Sequence, residues 1–125
     1  MKITSSAISL NVADPTASAK FLIDHFGFTQ EMAAEGFVSL TRPDAGVNVI
    51  YLKTGLSTFK PARIAGDAGQ GLLVVFVVED IDGEYERVRA EGVTIETPIE
   101  TEPWGERYFQ MTDPNGVVIQ LVQWV

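Results

Sequence analysis

The sequence predicts an α+β protein built from two βαβββ repeats. Short segments with a two-residue apolar alternation indicate strands, and two helical segments each begin after an aspartate and stop at a glycine. The same landmarks recur at offsets of 66, 65 and 70 residues, and they are Asp14 and Asp80, Gly27 and Gly92, and Gly46 and Gly116. Three landmarks repeated in the same order indicate an internal duplication.

The first strand is predicted at residues 3–12. Its apolar positions are Ile8, Leu10 and Val12, and the small or polar positions between them are Ala7, Ser9 and Asn11. Side chains alternate between the two faces of a strand, so the apolar set is expected to face a helix and the other set to face away.

A helix is predicted to follow this strand directly. Asp14 is placed to cap it, and Pro15 stands at the first helical position, where a missing N–H costs nothing. Gly27 ends the helix, because glycine readily adopts the left-handed conformation that helix ends require. The apolar stripe consists of Phe21, Leu22 and Phe26.

Three further strands complete each repeat. In the first repeat they are predicted at Phe28–Met32, Phe37–Thr41 and Val47–Leu52. The second repeat predicts a strand at Leu72–Val78, a helix from Asp80 to Gly92, and strands at Val93–Thr97, Arg107–Thr112 and Val117–Trp124. The repeats therefore occupy residues 1–53 and 71–125 of one domain spanning residues 1–125, with a crossover at 54–70.

Charge is unevenly distributed along the chain. Residues 1–70 contain six acids and six bases, whereas residues 71–125 contain eleven acids and only Arg87, Arg89 and Arg107 as bases. An acidic surface repels phosphate backbones, so nucleic acid is not expected as a partner and a cationic ligand is favoured. Solubility alone is the simpler interpretation of this charge.

Other classes of protein are disfavoured by what the sequence lacks. The absence of cysteine excludes disulfides, thiolate metal sites and nucleophilic thiols. No apolar run is long enough to cross a bilayer and the first residues do not resemble a signal peptide, so a cytoplasmic protein without membrane association is expected. Neither a catalytic elbow nor a phosphate-binding glycine loop is present.

Several segments resemble the glyoxalase, bleomycin-resistance and extradiol-dioxygenase group, also called the vicinal oxygen chelate superfamily. They are Ile8-Ser9-Leu10-Asn11-Val12-Ala13-Asp14-Pro15, Phe26-Gly27-Phe28, Val77-Val78-Glu79-Asp80-Ile81-Asp82 and Asp113-Pro114-Asn115-Gly116-Val117-Val118-Ile119-Gln120. The resemblance implies a curled mixed sheet that encloses a cup, with the helices on its outer face. It also implies a homodimer, although a monomer closed by its own two halves is an alternative.

Members of this family that are enzymes generally hold one divalent metal at four equivalent strand positions. Carried onto this sequence, those positions are Ala7, Ile50, Leu73 and Gln120. Three of these side chains have no lone pair to donate, and one amide oxygen is too few ligands for zinc or a hard cation. The only histidine, His25, is predicted on the first helix. The sequence thus predicts no metal, no cofactor and no catalytic residue.

The cup predicted from the resemblance and from strand alternation has a mixed lining. Its candidate ligand-binding residues are Ser9, Asn11, Asn48, Ile50, Val75, Tyr108, Gln110 and Gln120. Apolar walls with a few polar groups are typical of sites that capture organic molecules. Pro103-Trp104-Gly105 resembles metal-free bleomycin-resistance members, and Trp104 is either a stacking surface for the ligand or a contact of the core or dimer.

Two functions follow as hypotheses. The first is metal-independent binding and sequestration of a small organic molecule, for example a cationic or aromatic antibiotic. The alternative is a metal-dependent lyase, isomerase or dioxygenase of the same superfamily. A regulatory dimer with a collapsed cup is a third interpretation.

Overall fold

The computed structural model describes residues 1–125, which divide into two compact units, residues 1–70 and 71–125. Each unit contains one helix and a four-stranded mixed sheet. The predicted α+β class and the βαβββ repeat are confirmed. No helix of the protein combines the length and apolar character that crossing a membrane requires.

Unit 1 has the order strand, helix and three strands. Its elements are β1 (Ala7–Val12), α1 (Pro15–Phe26), β2 (Thr29–Ala34), β3 (Phe37–Thr41) and β4 (Asn48–Lys53). The strands lie in the order β1-β4-β3-β2, with β1 parallel to β4 and the other pairs antiparallel. A short 3₁₀ helix at Ala62–Ile64 follows within the crossover.

Unit 2 has the same arrangement. Its elements are β5 (Val74–Val77), α2 (Ile81–Ala90), β6 (Ile95–Thr101), β7 (Glu106–Thr112) and β8 (Val118–Trp124). The strands lie in the order β5-β8-β7-β6, again with the first pair parallel and the others antiparallel. The repeat seen in the sequence is therefore a repeat of topology.

The capping residues act as the sequence predicts. Asp14 accepts a hydrogen bond from the backbone N–H of Ala17 at 3.2 Å, and Asp80 accepts one from Gly83 at 3.1 Å. Gly27 ends α1 in the left-handed conformation. These side chains satisfy N–H groups that the first helical turn leaves without partners, and they fix where each helix leaves its sheet.

The core of each unit lies between its helix and one face of its sheet. In unit 1 the large fully buried side chains include Leu22 of α1 and Leu40 and Tyr51 of the sheet. In unit 2, Ile81 and Val88 of α2 are buried, as are apolar residues of β7 and β8, namely Phe109, Met111, Ile119 and Leu121.

Two predicted strand boundaries are wrong by four residues, and the others lie within two residues of those observed. β1 begins at Ala7 and not at residue 3, since the alternation there has no paired neighbour to extend it. β6 continues to Thr101, four residues beyond the predicted end at Thr97. Pro98 lies within β6, where the β6–β7 register shifts between Thr97 and Glu100, and a bulge tolerates proline because no ladder N–H is required there.

Candidate ligand-binding face

The sheet of unit 2 has one face packed on α2 and one face turned away from it, which we call the open face. Phe109 contacts Tyr85 of α2 edge to face, with ring centroids 4.9 Å apart, and Arg107 pairs with Asp82 of α2 at 2.6 Å. Side chains alternate along β7, so its even-numbered residues, including Tyr108, belong to the open face.

A row of side chains crosses the open face of unit 2. Val75, Gln120 and Gln110 are in register on β5, β8 and β7, and Thr97 of β6 is paired with Gln110. The Thr97 hydroxyl donates to Gln110 Oε1 at 2.7 Å, and Gln110 Nε2 donates to Gln120 Oε1 at 2.9 Å. The two amides are thereby held in fixed orientations.

Tyr108 lies one step along the same face, next to two carboxylates. Its hydroxyl oxygen is 2.7 Å from Glu100 Oε1 and 2.8 Å from Glu102 Oε1. Hydrogen bonding to Glu100 and then to Glu102 raises the pKa of the Tyr108 phenol above its ordinary value, since both stabilise the protonated form. A phenol has one hydrogen, so it donates to only one of these carboxylates at a time.

Neither Glu100 nor Glu102 forms an ion pair. The three arginines of unit 2 are engaged elsewhere: Arg87 with Glu84 and Glu91, Arg89 with Glu86, and Arg107 with Asp82. The end of the open face near Tyr108 therefore carries acidic charge without a basic partner.

Exposed apolar side chains lie beside these polar groups. Val77 is 65% exposed, and Leu73 and Val75 are also exposed. Val77 is in register with Val122, which in turn is opposite Tyr108. The aliphatic side chains lie at the β5 edge next to the Gln120 amide, and the carboxylates lie at the β6 edge. Apolar and polar groups on one face form a surface suited to an organic molecule with polar ends.

Trp104 lies at the tip of the hairpin between β6 and β7 and is 66% exposed. The tip is closed by a hydrogen bond from Gly105 N to Glu102 O at 3.0 Å. The indole is therefore not part of the core, which leaves a role in contact with a ligand or another chain.

In unit 1 the face turned away from α1 holds the other predicted residues. Ser9 is in register with Ile50 of β4, which is opposite Ser39 of β3, and Asn48 is in register with Ala7. Ser9 is exposed, whereas Asn48 and Ile50 are half-buried.

Asn11 has a structural task that the sequence did not reveal. Its Nδ2 donates to the carbonyl oxygens of Ile64 and Gly66 at 2.8 and 2.9 Å, and its backbone carbonyl accepts from Ala68 N at 3.0 Å. Both donors of the Asn11 amide are thus used to hold the crossover, and a ligand could reach only its oxygen.

The four positions implied for a metal do not have metal-binding chemistry. Ala7, Ile50 and Leu73 have hydrocarbon side chains, and Gln120 supplies a single amide. No group of three or more histidine, aspartate or glutamate side chains could hold an ion elsewhere. The only histidine lies in the last turn of α1, packed against Phe21. These residues do not fit a divalent metal centre.

Sequence reasoning missed three residues of the open face: Thr97, Glu100 and Glu102. Thr97 is the last residue of the strand that the sequence predicted, Glu100 lies in the part of β6 beyond that end, and Glu102 directly follows β6. The even spacing of Glu100 and Glu102 was the signal available for the two carboxylates. It does not predict Thr97, which shares their face because the β6–β7 register shifts between Thr97 and Glu100.

Comparison with known proteins identifies a family. The model of the Glyoxalase/Bleomycin resistance protein/Dioxygenase superfamily matches residues 4–121. A comparison with curated protein sequences gave no significant match.

Solved structures with the same fold cover the whole chain. A glyoxalase/bleomycin resistance protein/dioxygenase from Nocardioides is 26% identical with a TM-score of 0.80, covering 100% of this chain and 85% of that one. TioX from Micromonospora sp. ML1 is 23% identical with a TM-score of 0.73, covering 98% and 100%. A lactoylglutathione lyase from Agrobacterium tumefaciens is 20% identical with a TM-score of 0.79, covering 98% and 94%.

Proposed function

Because this chain belongs to the glyoxalase/bleomycin resistance protein/dioxygenase superfamily, we propose that it binds and sequesters a small organic cation with an aromatic or aliphatic body, such as an antibiotic, without a metal ion. The observation that carries the proposal is the carboxylate pair of Glu100 and Glu102, which shares the Tyr108 hydroxyl and has no basic partner. Superfamily members commonly bind small molecules and form dimers, and a homodimer is part of this proposal.

The carboxylates and the phenol explain a preference for cations. Only one of the two carboxylates accepts the hydrogen bond from Tyr108 at a time, which leaves the other with unsatisfied acceptor capacity. An ammonium or guanidinium group supplies several N–H donors and a positive charge to that site. Exposed Val77, on β5 at the other edge of the same face, offers apolar contact for the far end of the same molecule. Sequestration requires no reacting group.

Binding of planar cations can be followed by intrinsic fluorescence. The chain has two tryptophans, Trp104 and Trp124, and both are exposed. In a W124F background Trp104 is the only reporter, and saturable quenching by benzylammonium compounds but not by their uncharged analogues is expected. Equal quenching by charged and uncharged compounds would contradict a cation site.

Charge-matched variants locate the site. The double variant E100Q/E102Q should weaken cation binding about two- to fivefold, the range for exposed ion pairs. Glu79→Gln is the control, because Glu79 is an exposed acid directly before the Asp80 cap of α2. The single variants E100Q and E102Q each remove one charge, as the control does. If Glu79→Gln lowers the affinity as much as each of them, the effect comes from overall charge and not from a site.

The alternative function is a metal-dependent lyase, isomerase or dioxygenase of the superfamily. It would require a metal at positions where three of four side chains offer no donor atom. Elemental analysis by mass spectrometry of the purified protein distinguishes the two: a stoichiometric divalent ion would support the enzyme and contradict our proposal.

A further inference from the structure

Gln120 is buried, with 5% of its surface exposed, yet the nitrogen of its side-chain amide has no hydrogen-bond partner. Its Oε1 accepts from Gln110, whereas Nε2 makes no hydrogen bond. No side-chain nitrogen or oxygen in the protein is both inaccessible and without a partner. The Nε2 of Gln120 therefore reaches the surface.

The orientation of this amide follows from the row to which it belongs. The Thr97 hydroxyl donates to Gln110 Oε1, so the Nε2 of Gln110 is turned toward Gln120 and donates to its oxygen. With Oε1 of Gln120 directed at β7, its Nε2 is directed away from that strand. Val75, the neighbour of Gln120 on β5, is an exposed side chain that cannot accept a hydrogen bond.

From this geometry we infer that Gln120 presents an oriented N–H₂ donor to the ligand, and that Gln110, whose Nε2 donates to Gln120 Oε1, is the positioning residue that orients it. Thr97 holds Gln110 in the row, but a hydroxyl both donates and accepts, so Thr97 does not itself set the polarity. The ligand consequently carries a hydrogen-bond acceptor, of the carbonyl class, opposite Gln120. This inference rests on the proposed function and deepens it by specifying a second recognised group.

The second group lies on the same sheet face as the first. Gln120 is opposite Gln110, two residues from Tyr108 on β7, so Gln120 and Tyr108 are diagonal neighbours across the β7–β8 ladder. Diagonal neighbours on one sheet face are roughly 7–8 Å apart. The expected ligand therefore carries a carbonyl oxygen and a cationic nitrogen on one body.

Amide proton exchange tests the orientation without a ligand. In ¹⁵N-labelled protein, the Gln110 proton that is donated to Gln120 should be protected from exchange with water. The Gln120 side-chain amide protons should exchange about tenfold faster than that proton, because a typical hydrogen bond lowers the unbonded population by about this factor. The Q110E and Q120E variants assign the signals. A protected Gln120 amide with an unprotected Gln110 amide would overturn the inference.

The Q110E variant should reverse the direction of the hydrogen bond between residues 110 and 120. A carboxylate at this position only accepts, so Gln120 must turn its Nε2 toward it and present Oε1 at the surface. Protection should then appear on the Gln120 amide. If the Gln120 amide stays unprotected in folded Q110E protein, the row does not set its orientation and the inference fails.

Three matched probes test the recognition. 4-(Aminomethyl)acetophenone has both groups, 4-ethylbenzylamine lacks the oxygen, and 4-ethylacetophenone lacks the cation. We expect the first to bind about tenfold more tightly than 4-ethylbenzylamine to the wild type, and the preference to vanish in Q110E and Q120E.

The probes also separate failure of this inference from failure of the proposed function. If both amines bind equally well to the wild type, the donor role of Gln120 is excluded while the cation site stands. If 4-ethylacetophenone binds as tightly as 4-(aminomethyl)acetophenone, the cation site of the proposed function is excluded, and the exchange data still decide the orientation of Gln120.

Discussion

The side-chain amide of Asn11 in β1 donates a 2.8 Å hydrogen bond to the carbonyl oxygen of Ile64, 53 residues later in the chain. A second bond from the same nitrogen reaches Gly66 at 2.9 Å. One buried side chain thus fastens the crossover to the sheet of unit 1, which explains how a segment without regular strands is held in place.

Loss of these donors should destabilise unit 1. Asn11→Asp removes both N–H groups and places a carboxylate against two carbonyl oxygens, so we expect a loss of about 1–3 kcal/mol in the free energy of unfolding. Urea denaturation measures it. Asn48→Asp, on the same sheet face, is the matched control and should cost less, because no hydrogen bond to the crossover depends on Asn48. Equal losses would show that Asn11 has no special role.

The phenol of Tyr108 should remain protonated at alkaline pH. Hydrogen bonds to Glu100 and Glu102 raise its pKa in the folded protein above the value near 10 of an unfolded chain. The hydrogen bonds of the protonated phenol therefore contribute fully to the free energy of unfolding below about pH 10. This contribution is lost as the pH rises through the pKa of Tyr108 in the folded protein. Tyrosinate absorbance of wild type and Tyr108→Phe should coincide up to about pH 10.5.

The E100Q/E102Q variant provides the converse measurement for Tyr108. Without the two carboxylates the phenol should titrate near the ordinary tyrosine pKa, and tyrosinate absorbance should increase at lower pH than in the wild type. An unchanged titration would mean that the carboxylates do not control the phenol.

Gly105 should be required for the hairpin that carries Trp104. Its φ is +89°, and a Cβ at this position would lie 2.6 Å from the backbone oxygen of Val125. Gly105→Ala should lower the free energy of unfolding by about 1–3 kcal/mol and weaken quenching of Trp104 by planar probes. Gly46→Ala is the control, since a Cβ there meets nothing. If both variants melt alike, the close approach to Val125 is not limiting.

Asp113 should contribute strongly to the turn between β7 and β8. Its buried carboxylate accepts hydrogen bonds from the backbone N–H groups of Asn115 and Val117, both at 2.9 Å. Asp113→Ala leaves these donors without their partner and should cost about 1–3 kcal/mol in thermal or urea unfolding. Asp113→Asn keeps one acceptor oxygen and should recover part of the loss. An Ala variant as stable as the wild type would contradict this role.

The amino-acid sequence by itself determined the two βαβββ repeats, because strand alternation, the Asp14 and Asp80 caps and the glycine-terminated turns are local features read from neighbouring residues. It also determined that Ala7, Ile50 and Leu73 have no donor atoms. The location of Tyr108 and Gln110 on β7, and their shared parity, likewise follow from a period of two.

Only the tertiary structure decided which side chains meet across strands. Register depends on bulges, and the shift between Thr97 and Glu100 brings Glu100 opposite Tyr108. The direction of the Gln120 Nε2 and the hydrogen bonds made by the Asn11 Nδ2 are also non-local features. Each depends on a partner that is distant in sequence. Local periodicity assigns a residue to a face, but the direction of its hydrogen bonds is set by partners that only folding brings together.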